Sequence, residues 1–276
     1  MIRTLLVRGM AVGVVAGLLA FGMAKTFGEP QVDRAITFEA QMDAAKEAQE
    51  KAAATQNSST SPDNMAGMTG MASAASDHDH DGDEELVSRK VQSTIGLFTA
   101  VVVYGASFGG IFALVYAFAL GRIGGVSPRG LAALLGLAAF ITIAIVPDLK
   151  YPANPPAIGN PDTIGPRTGL YLSMLVVSMG AMISAVIVGR GMVAKHGLWT
   201  ASFIGGAIFI VIVGIAQILL PAINEVPADF PAQVLWKFRV ANLGIQAVLW
   251  TTMGLLFGYL TERSLQQERR VLRPAH

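Results

Sequence analysis

Two histidines, three methionines and a run of acids are the residues in this chain closest to metal chemistry. Met65, Met68 and Met71 precede Asp77, His78, Asp79, His80, Asp81, Asp83, Glu84 and Glu85 within one polar stretch. Imidazole and carboxylate suit divalent first-row metals, and thioethers suit Cu(I). His78 and His80 are two apart, which puts both on one side of an extended chain but not of a helix. Gly67 and Gly70 likewise argue against a methionine-lined helix face. The stretch reads either as a metal-capturing tether or as a solvated acidic linker with incidental histidines. Two histidines do not close a site, and such ligands rank copper above cobalt or nickel. A tether of this kind gathers metal without choosing one.

A second group of polar residues sits among prolines. Nine of the thirteen prolines fall within 147–166 and 221–231. Each fixes φ and removes a donor, so both connections are stiff. They carry Asp148, Lys150, Asn154, Asp162, Arg167, Asn224, Glu225 and Asp229, and Arg239 follows shortly after. They read either as plain helix stops or as a rigid vestibule whose weak oxygen ligands pass a cation on. Pro152-Ala153-Asn154-Pro155-Pro156-Ala157 matches Pro227-Ala228-Asp229-Phe230-Pro231-Ala232 at four of six positions, which suggests a duplicated hairpin.

The elements that position these groups are membrane helices. Of 276 residues, 53% are hydrophobic and 14% charged, and mean hydropathy is +0.52. Soluble domains carry about 25% charge. Six apolar stretches, 5–24, 94–120, 130–146, 168–189, 198–220 and 240–260, approach the ~20 residues that a hydrocarbon core requires. The fold expected is an all-α integral membrane bundle of six helices in three outward-pointing hairpins, with a possible repeat of the second and third. Arg3 and Arg8 before the first stretch also fit a signal peptide, but no small-x-small cleavage site follows and a retained span is the reading. The units expected are a first helix over 1–27, an extracytoplasmic segment over 28–93 and a five-helix bundle with a basic tail over 94–276. Within 28–93, residues 33–54 read as a solvated helix with Phe38 and Met42 on one side, and 55–85 lose periodicity.

Basic residues set the orientation. With the N-terminus inside, the cytoplasmic segments hold ten Lys and Arg against Glu262 and Glu268, while the two short outer loops hold only Lys150, Arg167, Lys237 and Arg239. Both termini are therefore placed in the cytoplasm. Beyond Arg8, near the start of the first stretch, the spans contain no Asp, Glu, His, Lys or Arg; their polar members include Gln217, Asn242 and Gln246. Coupled carriers usually keep an ionisable group at mid-membrane, so a channel-like path or a subunit that needs a partner fits better. Gly9, Gly13 and Gly17, with Gly105, Gly109 and Gly110, have helix-packing spacing, either within the chain or toward another subunit.

Absent cysteine excludes disulfides, thiolate metal sites and cysteine nucleophiles, and no Walker loop is present. Candidate nucleophiles have no histidine nearby outside 55–85, and His196 lies in a turn. The chain reads as a non-enzyme that does not bind nucleic acid.

Several motifs carry a family resemblance. They are Phe27-Gly28-Glu29-Pro30-Gln31-Val32-Asp33-Arg34-Ala35-Ile36, Gln92-Ser93-Thr94-Ile95-Gly96-Leu97, the passage from Pro147 to Ala157 with Asp162-Thr163-Ile164 and Arg167-Thr168, and Phe230-Pro231 with Leu235-Trp236-Lys237-Phe238-Arg239, Gln246 and Trp250. Outside 55–85 the whole chain resembles the CbtA family, the probable cobalt transporter subunits of bacteria. The resemblance implies a multi-pass protein of the cytoplasmic (inner) membrane, embedded in lipid beside a small single-span, histidine-bearing CbtB-type subunit. It implies Co2+ as the transported ion, with no tightly bound cofactor, in uptake that supplies cobalamin synthesis. The reading from another class is a non-transporting membrane scaffold or metal-handling receptor that stabilises a partner.

Overall fold

The computed structural model describes residues 2–58, 87–123, 125–156, 158–159 and 161–271. Met65, Met68, Met71, Asp77, His78, Asp79, His80 and Asp81 lie outside them. Every regular element among the described residues is helical: α1 (Ile2–Met23), α2 (Glu29–Ser58), α3 (Arg89–Val91), α4 (Leu97–Ala119), α5 (Pro128–Ala139), α6 (Val146–Lys150), α7 (Ile164–Leu219) and α8 (Ala232–Val271). π-Helical turns at Ala24–Gly28, Gln92–Gly96 and Phe140–Ile145 join α1 to α2, α3 to α4 and α5 to α6 without a break in direction. Five continuous helices result that are long and apolar enough to cross a membrane.

Glycines explain the closest packing. A Cβ on Gly13 would collide with the Gly105 carbonyl, and one on Gly109 with the Gly9 carbonyl. At Gly17 it would stand 2.8 Å from Val101 O. The α1 and α4 backbones therefore touch along three turns, as small residues permit in lipid. The glycines expected to pack helices do so within this chain. Gly136 of α5 meets the α8 backbone in the same way: a Cβ there would stand 2.9 Å from Trp250 O. Around these contacts α1, α4, α5 and α8 share one core that includes Val12, Phe112, Tyr116, Leu131, Trp250, Met253 and Phe257. Arg8 sits inside α1 and donates to Thr261 Oγ1 of α8 at 3.3 Å.

α7 is interrupted once. Gly197 has φ 77°, a left-handed conformation that glycine adopts without a Cβ penalty. The segments before and after it fold back on each other, and a Cβ on Gly205 would stand 2.9 Å from Ala185 O. Met174 near one end of α7 accordingly shares a core with Val213 and Ala216 near the other, and with Val146 of α6. Ser127 caps α5 by accepting from Gly130 N at 3.0 Å, with Pro128 in the first turn.

The helix expected over 33–54 is longer and runs on from α1. Arg89 pins the start of α2 through Glu29 at 2.6 Å and Asp33 at 3.0 Å, and Lys25 donates to Ser93 O at 2.9 Å. Phe38, expected on the apolar side of that helix, meets Phe230 edge-on at 5.2 Å.

Candidate functional site

The two proline-rich connections come together at one end of the bundle. Ile158 of the first packs with Val226 and Phe230 of the second, against Ala35 and Phe38 of α2. Between them, the end of α6, the start of α7 and the first turns of α8 lies a cavity of about 860 Å³. Its wall includes Asp148, Lys150, Asn154, Arg167, Tyr171, Asn224, Glu225, Arg239, Asn242 and Gln246. Asp162 and Asp229 are exposed and do not line it. Gln217 stays in the helix packing, where its amide donates to Val146 O at 3.3 Å.

Each base in the wall already donates to the protein. Lys150 Nζ donates to Gln217 O at 2.6 Å, tying α6 to the end of α7. Arg239 donates to Ala153 O at 3.3 Å and to Asn154 Oδ1 at 2.9 Å, holding the first connection. Arg167 pairs with Glu225 at 3.2 Å, holding the second. Gly159, at φ 120°, leaves the room that the Arg167 guanidinium fills. Tyr151 donates to Pro221 O at 2.8 Å, and burial pushes its phenol above the ordinary value.

Asp148 is held differently. It lies within the last helical turn of α6 rather than in a loop, and the Asn242 amide donates to its Oδ2 at 3.0 Å. Among the described residues it has no ion-pair partner in contact; the Asn242 amide is its hydrogen-bond donor, and Arg239 acts on it from further off. Asn242 follows Arg239 by three residues and precedes Gln246 by four, which places all three on one face of α8. That face carries the polar wall from the connections in toward the helices. At its deeper end the Gln246 side chain stands beside Tyr104, and Gln246 Oε1 and Trp250 Nε1 are buried without a hydrogen-bond partner.

The sequence reading missed Tyr171 and Tyr104. Tyr171 stands four residues after Arg167, one turn along the same face, and that spacing was its available signal. The contact of Tyr104 depends on helix packing and left no mark in the sequence. Among the described residues no group of three or more His, Asp or Glu could hold a metal ion as a closed cage. The wall suits weak, transient contact by single oxygens.

No curated protein and no solved structure matches the chain. The profile of the family described as "Probable cobalt transporter subunit (CbtA)" matches residues 2–262. Apolar helices around a polar cavity accord with that description, and over nearly its full length the chain belongs to the CbtA family of probable cobalt transporter subunits.

Proposed function

We propose that the chain is the membrane-embedded subunit of a cobalt uptake system of the bacterial inner membrane, with cobalamin synthesis as the consumer of the metal. It crosses the bilayer six times in three outward hairpins, both termini in the cytoplasm. The break at Gly197 supports two crossings by α7, since residues 198–219 alone extend about 33 Å at 1.5 Å per residue. The polar cavity then faces outward and receives Co2+.

One observation carries this reading: Asp148, a carboxylate in the cavity wall with an amide partner and no cation in contact. It attracts a divalent ion, while Lys150, Arg167 and Arg239 limit how tightly the ion is held. Asn242 and Gln246 offer neutral oxygens further in. The 65–85 segment, with Met65, Met68, Met71, His78 and His80, gathers metal ahead of the cavity. A small single-span CbtB-type subunit completes the system.

A second reading has its own support. Three bases against two carboxylates in the wall and the lack of a closed cage among the described residues favour a scaffold or metal-handling receptor that stabilises a partner. Uptake of radioactive cobalt by cells expressing this chain alone, with the partner, or neither separates the two. Uptake that requires this chain and falls on Asp148→Asn supports transport. Uptake by the partner alone, with this chain raising only partner abundance, identifies a scaffold.

A further inference from the structure

At the end of the bundle opposite the polar cavity, α5 and α7 part company. The hydrogen bonds that tie α7 to the α5–α6 helix are Ser178 to Thr142 O, Gln217 to Val146 O and Lys150 to Gln217 O, all toward the proline-rich end. Away from it a groove of about 440 Å³ opens between residues 131–141 and residues 182–209. Leu134, Leu137, Val186, Val193 and Phe209 give it an apolar lining, and Arg190, at its outermost end, is the one charged lining residue. Arg190 is exposed and has no hydrogen-bond or ion-pair partner among the described residues.

The dimensions select an occupant. Ten helical steps from residue 131 to 141 extend ~15 Å, half of a ~30 Å hydrocarbon core, so the groove covers one leaflet. A spanning helix needs a seat through the whole ~30 Å core, about twice the length that this groove provides. Trp199 and Phe203, 77% and 72% exposed, stand at the same end as Arg190 and mark the interfacial level where amphipathic rings collect. Apolar length for one leaflet, closed at headgroup height by the one charged residue of the lining, is complementary to a lipid with a negative headgroup. We propose that this groove holds one acyl chain of an anionic phospholipid whose phosphate rests against Arg190, wedged between α5 and the two halves of α7.

The test uses the full chain, purified in detergent, exposed to equal amounts of phosphatidylglycerol and phosphatidylcholine, and weighed intact by native mass spectrometry. The expected result is one retained phosphatidylglycerol. Arg190→Gln should lower the preference for it about fivefold, the order for one basic residue at a membrane surface. Gly206→Leu should displace lipid of either kind, because Gly206 lines the groove with no atom within 4 Å of a new Cβ. Ser202→Leu, on the same lining, supplies the equivalent readout if Gly206→Leu melts early. Equal retention of phosphatidylcholine by the parent chain, or an adduct unchanged in Arg190→Gln and in the groove-filling variant, would overturn the proposal. So would a chain dimer that separates in Gly206→Leu, since a second copy would then fill the groove.

Discussion

Arg167 and Arg239 reach into each other's connections. Arg167 follows the first proline-rich connection and pairs with Glu225 of the second at 3.2 Å. Arg239 follows the second and donates to Asn154 of the first at 2.9 Å. These crossed donors brace the two connections against each other, although Glu225 and Asn154 are not equivalent positions of the shared Pro-Ala-Asn/Asp-x-Pro-Ala pattern, in which Asp229 is the counterpart of Asn154. Each arginine fastens the connection that it does not follow. Replacing either by Gln should lower stability by about 1.5–3 kcal/mol, the range for hydrogen bonds to charged groups. Melting in detergent measures this, and unchanged midpoints in both variants would mean that the crossing is ornamental.

Asp148→Asn keeps size and hydrogen bonding while deleting the charge. The loss of attraction is of order 1 kcal/mol in a wet site, a several-fold rise in the apparent KM for cobalt. Protein abundance should stay constant and the dependence on ionic strength should weaken. Asp229→Asn, at an exposed position off the cavity wall, should leave cobalt uptake unchanged. A matching defect from Asp229 would place the ion route elsewhere.

Gly13→Val and Gly109→Val should be far worse than substitutions at lipid-facing glycines. Each new side chain enters the backbone of the opposite helix, where no rotamer relieves the clash. Overpacking costs about 1–3 kcal/mol even where neighbours yield, so a greater loss is expected against backbone. Gly214→Val, with nothing within 4 Å of its Cβ, is the control. Expression and thermal midpoint in detergent compare the three.

The natural chain has no cysteine, so single cysteines report topology cleanly. Residues 43 and 229, both exposed, should label with an impermeant maleimide in intact cells. Residues 125 and 194 should label only after the membrane is opened. Labelling of residue 125 from outside would reverse the orientation.

A peptide covering residues 62–88 should bind copper ahead of cobalt, following the metal series. Calorimetric titration at one pH with both metals gives the order. In cells, His78→Ala with His80→Ala should reduce uptake only when external metal is scarce. An equal loss at abundant metal would put these residues in the conduction path.

Hydropathy and proline density made the helical class and the proline-rich end legible in advance, because lipid imposes long apolar runs and prolines stop them. Glycine spacing likewise marked the faces of α1 and α4 that pack closely, though not that they meet each other. Less visible was the fate of Asp148, which reads as a loop residue because Pro147 precedes it. The π turn at Phe140–Ile145 continues the helix past that proline instead, and the carboxylate arrives beside Asn242, ninety-four residues away. Asp229 misled for the converse reason. Its alignment with Asn154 suggested a shared wall, but Phe230 beside it is the residue that turns inward, 6% exposed against Phe38. Periodicity reports which face a helix buries, and it cannot report which side of a proline-rich connection meets its neighbour.

The glycine seam between α1 and α4 bears on the order of events at the ribosome. Both partners are complete once Ala119 has been added, with more than half of the chain still to be made. At ~5–20 residues per second the remainder takes roughly ten to thirty seconds, long enough for two backbones that fit without side-chain rearrangement to close. The first pair of crossings would then be a finished template before α5, α7 and α8 emerge, and α8 would dock last, onto a surface already set by its two earliest neighbours. Late insertion of α8 would also make the cavity the last part of the protein to form, since Arg239, Asn242 and Gln246 all arrive with that helix.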